Sequence, residues 1–290
     1  MSRVQTATVG ALKFSTDGSL VMPEGYTIWL DRFDGWTNST DVRRNRTERE
    51  GEHGEFSEPG KRGARMVTLE GDVTCPSEIV AARAELEISA LLGDGGEGLL
   101  AVTDSALWPM SAAASLASGV KIGWKNDLTP TYLIQLLCAD PRKYGATLAD
   151  STGVAVAAGA LPYPLYAPAP PGVIDYGTPG SPGTVTLTNS GKADTAPRFT
   201  VTGNLPFGFS ITDTVARTRL VYSGAIVSGQ TLTLDVEDGS VLLDGYADRS
   251  KELTVSEWTR LPAGTTGTWF FEAVGSASAA LMVEVNPAWW

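Results

Sequence analysis

Seven prolines, Pro162, Pro164, Pro168, Pro170, Pro171, Pro179 and Pro182, crowd into one short stretch of this 290-residue chain. Each fixes φ near about −65° and deletes a backbone donor, so the stretch cannot continue a sheet ladder or a helix and suits an extended connector. The spacing therefore predicts two bodies rather than one continuous core: an N-terminal domain over 1–145, a connector over 146–181 and a C-terminal domain over 182–290. Length agrees, since a domain usually runs to ~100–200 residues. Leu161, Tyr163, Leu165 and Tyr166 are the connector residues suited to pack as an edge strand. Elsewhere 32 Gly and 17 Pro imply frequent turns, which favours β architecture.

The hydrophobic pattern agrees. In the first half Val4–Phe14, Ala64–Val73, Leu99–Thr103, Gly119–Trp124 and Thr131–Ala139 read as strands bounded by Gly, Pro or Asp. One helix interrupts them. Pro76 and Glu78 suit a first turn, Ile79, Ala82, Leu86 and Ala90 repeat at helical spacing, and Gly93 stops the run. In the second half nine short apolar or alternating runs recur every ~8–14 residues, the spacing of a β-sandwich. The hairpin around Asp238-Gly239, read as a two-residue turn, sets Val236 opposite Val241 and Leu234 opposite Leu243.

Between two of the strands lies Asp41–Arg62, with six basic and six acidic residues and little that is apolar beyond Val42 and Phe56. It cannot build a core of its own. The whole chain carries 22 Lys and Arg against 33 Asp and Glu, a net charge of -11 and a pI near 4.6. A protein that gained affinity by neutralising phosphates would need the opposite sign, so general nucleic-acid binding is excluded. No run approaches the ~18 apolar residues of a membrane helix, Val154–Ala160 being the best candidate, so no membrane insertion is expected. Met1–Phe14 lacks the apolar core of a secretory signal, so maturation in the cytoplasm is expected.

Chemistry is scarce. The single His53 sits among Glu52, Gly54 and Glu55 and has no second histidine to share a metal or a catalytic role. Cys75 and Cys138 form no CxxC pair and read as buried free thiols, with one disulfide between them as the alternative, and no structural zinc site is expected. Gly93–Gly98 matches GxGxxG, but it follows a helix, and Asp94 and Glu97 would repel phosphate, so it reads as a turn. Asp235, Glu237, Asp238 and Asp244 are the acids to consider for glycoside hydrolysis, yet they lie at a hairpin turn where acids are normally solvated. The EF-hand spacing is absent. Trp258 and Trp269 fall inside apolar strand patterns and read as core; Trp289 and Trp290, beyond Pro287, read as residues that dock onto another chain or domain. No catalytic residue, metal or cofactor emerges.

Several blocks taken in order carry a resemblance. Asn189-Ser-Gly-Lys-Ala-Asp-Thr-Ala-Pro-Arg-Phe-Thr-Val-Thr-Gly203, Leu220-Val-Tyr-Ser-Gly224, Gly229-Gln-Thr-Leu-Thr-Leu-Asp235, Gly239-Ser-Val-Leu-Leu-Asp-Gly245 with Arg249, and Trp258-Thr-Arg-Leu-Pro-Ala-Gly264 resemble the distal tail and minor tail proteins of siphophages. Arg65-Met-Val-Thr-Leu-Glu-Gly71 and Cys138-Ala-Asp-Pro-Arg-Lys-Tyr144 look like that family's ring-forming domain. Residues 145–182 match least. The resemblance implies a mainly β protein with one α-helix: a β-sandwich-like N-terminal domain with a long belt-like loop, and a galectin-like C-terminal β-sandwich. It implies a structural protein of the virion, assembled in the host cytoplasm and placed at the distal end of the tail. There it would form a homohexameric ring between the tail tube protein and the baseplate or hub, contact the tape measure protein, and leave a channel for DNA.

Residues 41–62 fall where the belt should lie, so Arg43, Arg44, Arg46, Glu48, Arg49, Glu50, Glu52 and Phe56 are the expected subunit interface, held by reciprocal ion pairs that set register more than affinity. The alternative is a solvated, disordered loop in the isolated chain. Six copies multiply the acidic balance, so the lumen is expected to be acidic or neutral and to pass DNA without holding it. The competing reading of function is a binding module whose C-terminal sandwich recognises a host surface glycan; an enzyme comes third.

Overall fold

The computed structural model describes residues 4–156, 180–275 and 278–290. The prolines of the connector up to Pro179, and with them Leu161, Tyr163, Leu165 and Tyr166, lie outside the described residues. The chain divides into two compact units, Met1–Ala146 with Trp289–Trp290, and Thr147–Ala288. Both are built from strands, and the described residues contain a single α-helix and one short 3-10 turn, Ser250–Glu252.

The first unit runs β1 (Gln5–Val9), β2 (Leu12–Ser15), β3 (Thr27–Trp29), β4 (Arg32–Asp34), β5 (Val42–Arg43), β6 (Arg46–Glu48), β7 (Glu55–Ser57), β8 (Lys61–Arg62) and β9 (Arg65–Thr74). Then come α1 (Glu78–Ser89), β10 (Gly98–Asp104), β11 (Leu107–Leu116), β12 (Lys121–Asn126), β13 (Thr129–Cys138) and β14 (Lys143–Tyr144). Pairing runs β13-β9-β3-β2-β1-β10-β11, and β11 returns to β13 through Ser115↔Leu137 and Leu116↔Leu136. The ladder thus closes on itself, where two facing sheets were expected. The ten-residue strands β9, β11 and β13 make this closure, since each is long enough to pair with different neighbours along its length. Strict alternation supplies the inside: Val67, Leu69 and Val73 from β9 and Tyr132, Ile134 and Leu136 from β13 join Phe14, Ile28, Leu100 and Ala114 in one buried cluster.

The helix forms where expected but turns the other way. Ser77 caps it, its Oγ accepting from the Val80 N–H at 3.4 Å. The buried face is Ala81, Ala84 and Ile88, whereas Ile79 and Leu86 are each 69% exposed. Both stripes repeat at helical spacing. Each stripe carries two alanines, so periodicity and side-chain size alone do not choose between them, and the strands take up Ala81, Ala84 and Ile88. Gly93–Gly98 is a turn leading into β10, with Asp94 accepting from the Gly96 N–H.

The second unit packs two antiparallel sheets on a shared core. One orders Leu148–Gly153, Ser278–Val285, Arg198–Asn204, Thr231–Asp235, Ser240–Leu243 and Ala247–Asp248; the other orders Thr184–Thr188, Thr266–Ala273, Phe209–Asp213, Thr218–Tyr222 and Leu253–Ser256. Phe199, Val201, Leu232, Leu234, Leu281 and Val283 of the first face Ile211, Phe271 and Trp269 of the second within one cluster. Leu148–Gly153, read from sequence as connector, is a strand because Ser278–Val285 supplies its ladder; its own side chains are mostly polar and exposed and carry no apolar signal.

The hairpin also differs from its expected register. Leu234 pairs Val241 and Leu232 pairs Leu243, so the turn spans four residues rather than two. Asp235 accepts from the Glu237 N–H and Asp238 from the Ser240 N–H, each at 2.9 Å, and these side-chain caps hold the longer turn. The slip is an even number of residues, so the same side chains still face inward. Among the described residues no helix is long and apolar enough to cross a membrane.

Candidate assembly interface

Residues 41–63 form a two-stranded ribbon. Gly63 N–H donates to Asp41 O at 2.8 Å, β5 pairs β8, Glu58 N–H donates to Asn45 O, β6 pairs β7, and Arg49 N–H donates to Gly54 O. The tip folds over at Gly51 and Gly54, whose positive φ values of 78° and 97° suit glycine. A segment without a core is ordered by its own ladder, and nearly all of it is exposed. It is a ribbon rather than a loose loop.

Its root is anchored by buried cations. Arg65 opens β9 at 1% exposure, and its Nη1 donates to the carbonyls of Gly35 (2.7 Å), Trp36 (3.1 Å) and Asn38 (2.8 Å) while Nε donates to Pro141 O (3.1 Å). Its Nη2 is buried without a partner. Lys143 on β14, 8% exposed, also donates to Trp36 O, at 3.2 Å, and sits over the Trp36 ring. The two blocks Arg65–Gly71 and Cys138–Tyr144 therefore meet at the residues that lead into the ribbon. Burial lowers the Arg65 pKa, and burial together with Arg65 brings Lys143 down to about 8. Asp140 behaves oppositely. Burial alone would raise it, but hydrogen bonds from Arg142 and from Tyr144 Oη (2.5 Å) hold it below the usual carboxylate range. Burial also pushes the Cys138 thiol up to about 11, leaving it protonated and unreactive.

The expected interface residues lie along the ribbon. Arg43 and Arg44 are exposed at the root; Arg46 reaches Glu55 at 3.5 Å; Glu48 stands opposite Glu55; Arg49 stacks on Phe56 at 4.7 Å and reaches Glu52 at 3.8 Å; Glu50 is exposed at the tip. Phe56 remains 62% exposed. Trp289 packs on Trp108 at 5.4 Å, and Arg62 lies over the Trp290 ring at 4.9 Å while its Nη1 donates to Ser39 Oγ. Trp289 and Trp290 both belong to the first unit.

Sequence reasoning did not single out Arg65, Lys143, Trp36 or Asn189 for these roles. Asn189 is fully buried and clasps the strand end at Ala288. Its Nδ2 donates to Ala193, Leu261 and Pro262 carbonyls, and its Oδ1 accepts from Gly191 and Ala288 N–H. A Cβ on Gly191 would lie 1.9 Å from Ala288 O. The sequence signal was present in the block Asn189–Gly203, but only the fold shows what it holds. The four candidate acids are all occupied: Asp235 pairs with Arg198, Glu237 takes Arg260 through both oxygens, Asp238 caps its turn and Asp244 accepts from Thr231 N–H. Among the described residues no three His, Cys, Asp or Glu side chains gather as a metal site.

No family model and no curated protein matches the sequence. The fold is similar to that of the Dit protein of phage SPP1, whose structure is described as a paradigm of the hub adsorption apparatus in Gram-positive infecting phages. The TM-score is 0.63 at 13% identity over 97% of this chain and 98% of that one. It is also similar to a chain of the phage p2 baseplate in its activated conformation with Sr, with a TM-score of 0.51 at 12% identity over 97% and 98%. At such identities the likeness is one of fold: mainly β, with a single helix, along nearly the whole length of each chain.

Proposed function

We propose that this chain is a structural protein of a phage tail, a distal tail protein whose six copies form a ring joining the tail tube to the baseplate hub. The observation that carries the reading is the fold likeness to the SPP1 Dit protein, which spans both units end to end. The ring domain is then residues 1–145, the second unit is a galectin-like sandwich, and the ribbon is the subunit contact. Support for the last point is physical: the ribbon is a ladder without a core, rooted on two buried cations that hold the chain leading into it. A solvated loop would need no such anchor. In this account DNA crosses a lumen that does not bind it, in keeping with a net charge of -11 per copy. The tube, tape measure and hub proteins are the partners, and the virion is the location.

Electron-microscopy class averages of the purified full chain test this: six-fold rings are expected, and a lumen lined by Arg or Lys would contradict the conduit. Deleting 41–62 should leave both units folded and weaken assembly in light scattering; an unchanged oligomer would remove the ribbon from the interface. A glycan-binding role for the second unit finds less support, because Trp269 is 2% exposed and Trp258 packs against the core, leaving Tyr246 and Phe207 as its exposed aromatics among the described residues.

A further inference from the structure

One end of the second unit is apolar where connections between strands are usually polar. The pairs Asn204↔Ser278, Thr202↔Thr231, Phe209↔Tyr222 and Phe209↔Ala273 bring the connections that hold Phe207, Val227 and Val274 to the same end of the sandwich. These three side chains are 65%, 55% and 58% exposed. Residues 204–208, 223–230 and 274–279 contain no charged residue, although 19% of the whole chain is charged. The connections are also tied to one another. Leu205 and Ile226 exchange backbone hydrogen bonds at 2.8 and 3.0 Å, Val274 N–H donates to Gly208 O at 3.3 Å, and Val227 exchanges bonds with Gln230 through its carbonyl and the Gln230 Oε1. The Phe207 ring lies beside Gly275, where an added Cβ would come within 3.3 Å of its Cδ2. Charge returns at the rim, before Leu253–Ser256: Asp244 accepts from Thr231 N–H, Asp248 from Ser250 N–H, and Arg249 pairs with Glu252 at 3.0 Å.

We propose that this end of the second unit seats Phe207, Val227 and Val274 in the interfacial layer of a zwitterionic lipid bilayer. An exposed apolar patch of this kind marks contact with a protein or with a membrane, and the chemistry around it separates the two. A protein interface ordinarily supplies a hydrogen bond per ~100–200 Å² and a polar rim on all sides, and a glycan needs side-chain donors and acceptors around the aromatic ring. These connections offer Gly, Ser, Ala and Pro, with the Gln230 amide oxygen already taken up by Val227 N–H. Lipid asks for none of those groups. It rewards apolar side chains raised on uncharged loops, and it disfavours backbone groups that lack partners within the protein, which the ties between the connections supply in part. With no cation on the three connections and a net charge of -11, nothing favours anionic headgroups. The contact is peripheral and crosses nothing, in keeping with the lack of a membrane-crossing helix among the described residues. It does not depend on the ring reading.

Flotation of the full chain with phosphatidylcholine vesicles tests the contact. Wild type should float with the lipid, and F207S/V227S/V274S should lower the lipid-bound fraction about tenfold or more. All three positions are more than half exposed, so the melting transition of the second unit should not move. A second readout is local. Cys75 and Cys138 are buried, so a polarity-sensitive thiol dye reacts selectively with the exposed position 228 in S228C, and its emission should shift to the blue on phosphatidylcholine but not when the triple substitution is also present. Replacing half of the lipid by phosphatidylglycerol should not strengthen binding, and raising salt from ~0.1 to ~1 M should change it by less than about twofold. Wild type left behind by phosphatidylcholine vesicles would overturn the proposal and leave the patch to an apolar protein surface. A triple variant that floats like wild type would overturn it as well, as would binding that needs phosphatidylglycerol and disappears at high salt.

Discussion

Replacing Lys143 by Met should make the isolated chain more stable and its assembly weaker. The amine is buried, with Arg65 as a like-charged neighbour and one carbonyl as its partner, and its pKa is brought from 10.5 to about 8 by burial first and Arg65 second. Keeping it protonated below pH 8 therefore costs on the order of 3 kcal/mol relative to a solvated lysine. Methionine retains the apolar stem and loses one hydrogen bond of about 1 kcal/mol, and Trp36 O keeps its bond from Arg65. K143M should thus gain about 1–2 kcal/mol at pH 7. The sign with pH follows from the lowered pKa. Below pH 8 both folded and unfolded chains bind the proton and the cost is fully present; between about 8 and 10.5 only the unfolded chain binds it, so wild-type stability rises through that window. Urea denaturation of both proteins at pH 7, 8, 9 and 10 reads the difference directly. The two stabilities should converge and then cross as pH rises. Parallel curves, or a variant less stable than wild type at pH 7 by more than about 2 kcal/mol, would refute the buried-cation account. The assembly defect follows because Lys143 and Arg65 together fix the carbonyl that leads into the ribbon.

Three further outcomes follow from the packing. Asn189→Ala removes three donated and two accepted hydrogen bonds at a fully buried site and should cost about 2–4 kcal/mol in the transition of the second unit, read by calorimetry. Gly191→Ala should destabilise the same transition, because its Cβ would lie 1.9 Å from Ala288 O, and an unshifted melting curve would contradict the clasp. On the helix, Ile79→Gln with Leu86→Gln should move stability by less than about 0.5 kcal/mol per site, whereas Ala84→Leu should cost about 1–3 kcal/mol by overpacking the strand contact; chemical denaturation separates the two faces.

Strand content, the helix and the ribbon's position were legible in the sequence because they rest on local signals: alternation in β9 and β13, Ser77 and Glu78 at a helix start, and a charged interval without apolar residues. What local signals could not decide was which of two equally periodic stripes the helix buries, or whether the hairpin turn has two or four residues. Closure of the ladder through β11 and β13 and the strand at Leu148–Gly153 depend on partners far away in sequence. The candidate site divides the same way. Its charged residues were identifiable as a group, but their segregation into a basic root and an acidic tip emerges only once Arg43 is set against Lys61 and Glu48 against Glu55. Arg65 and Lys143 carry no local signal of a shared role; only the fold places both on Trp36 O.

Mass photometry of the purified full-length chain addresses the central claim most directly. The account predicts a dominant species at six times the chain mass of 30.5 kDa, shifting toward the single-chain mass as salt weakens the ribbon contact. A single-chain mass at every concentration and ionic strength would contradict it.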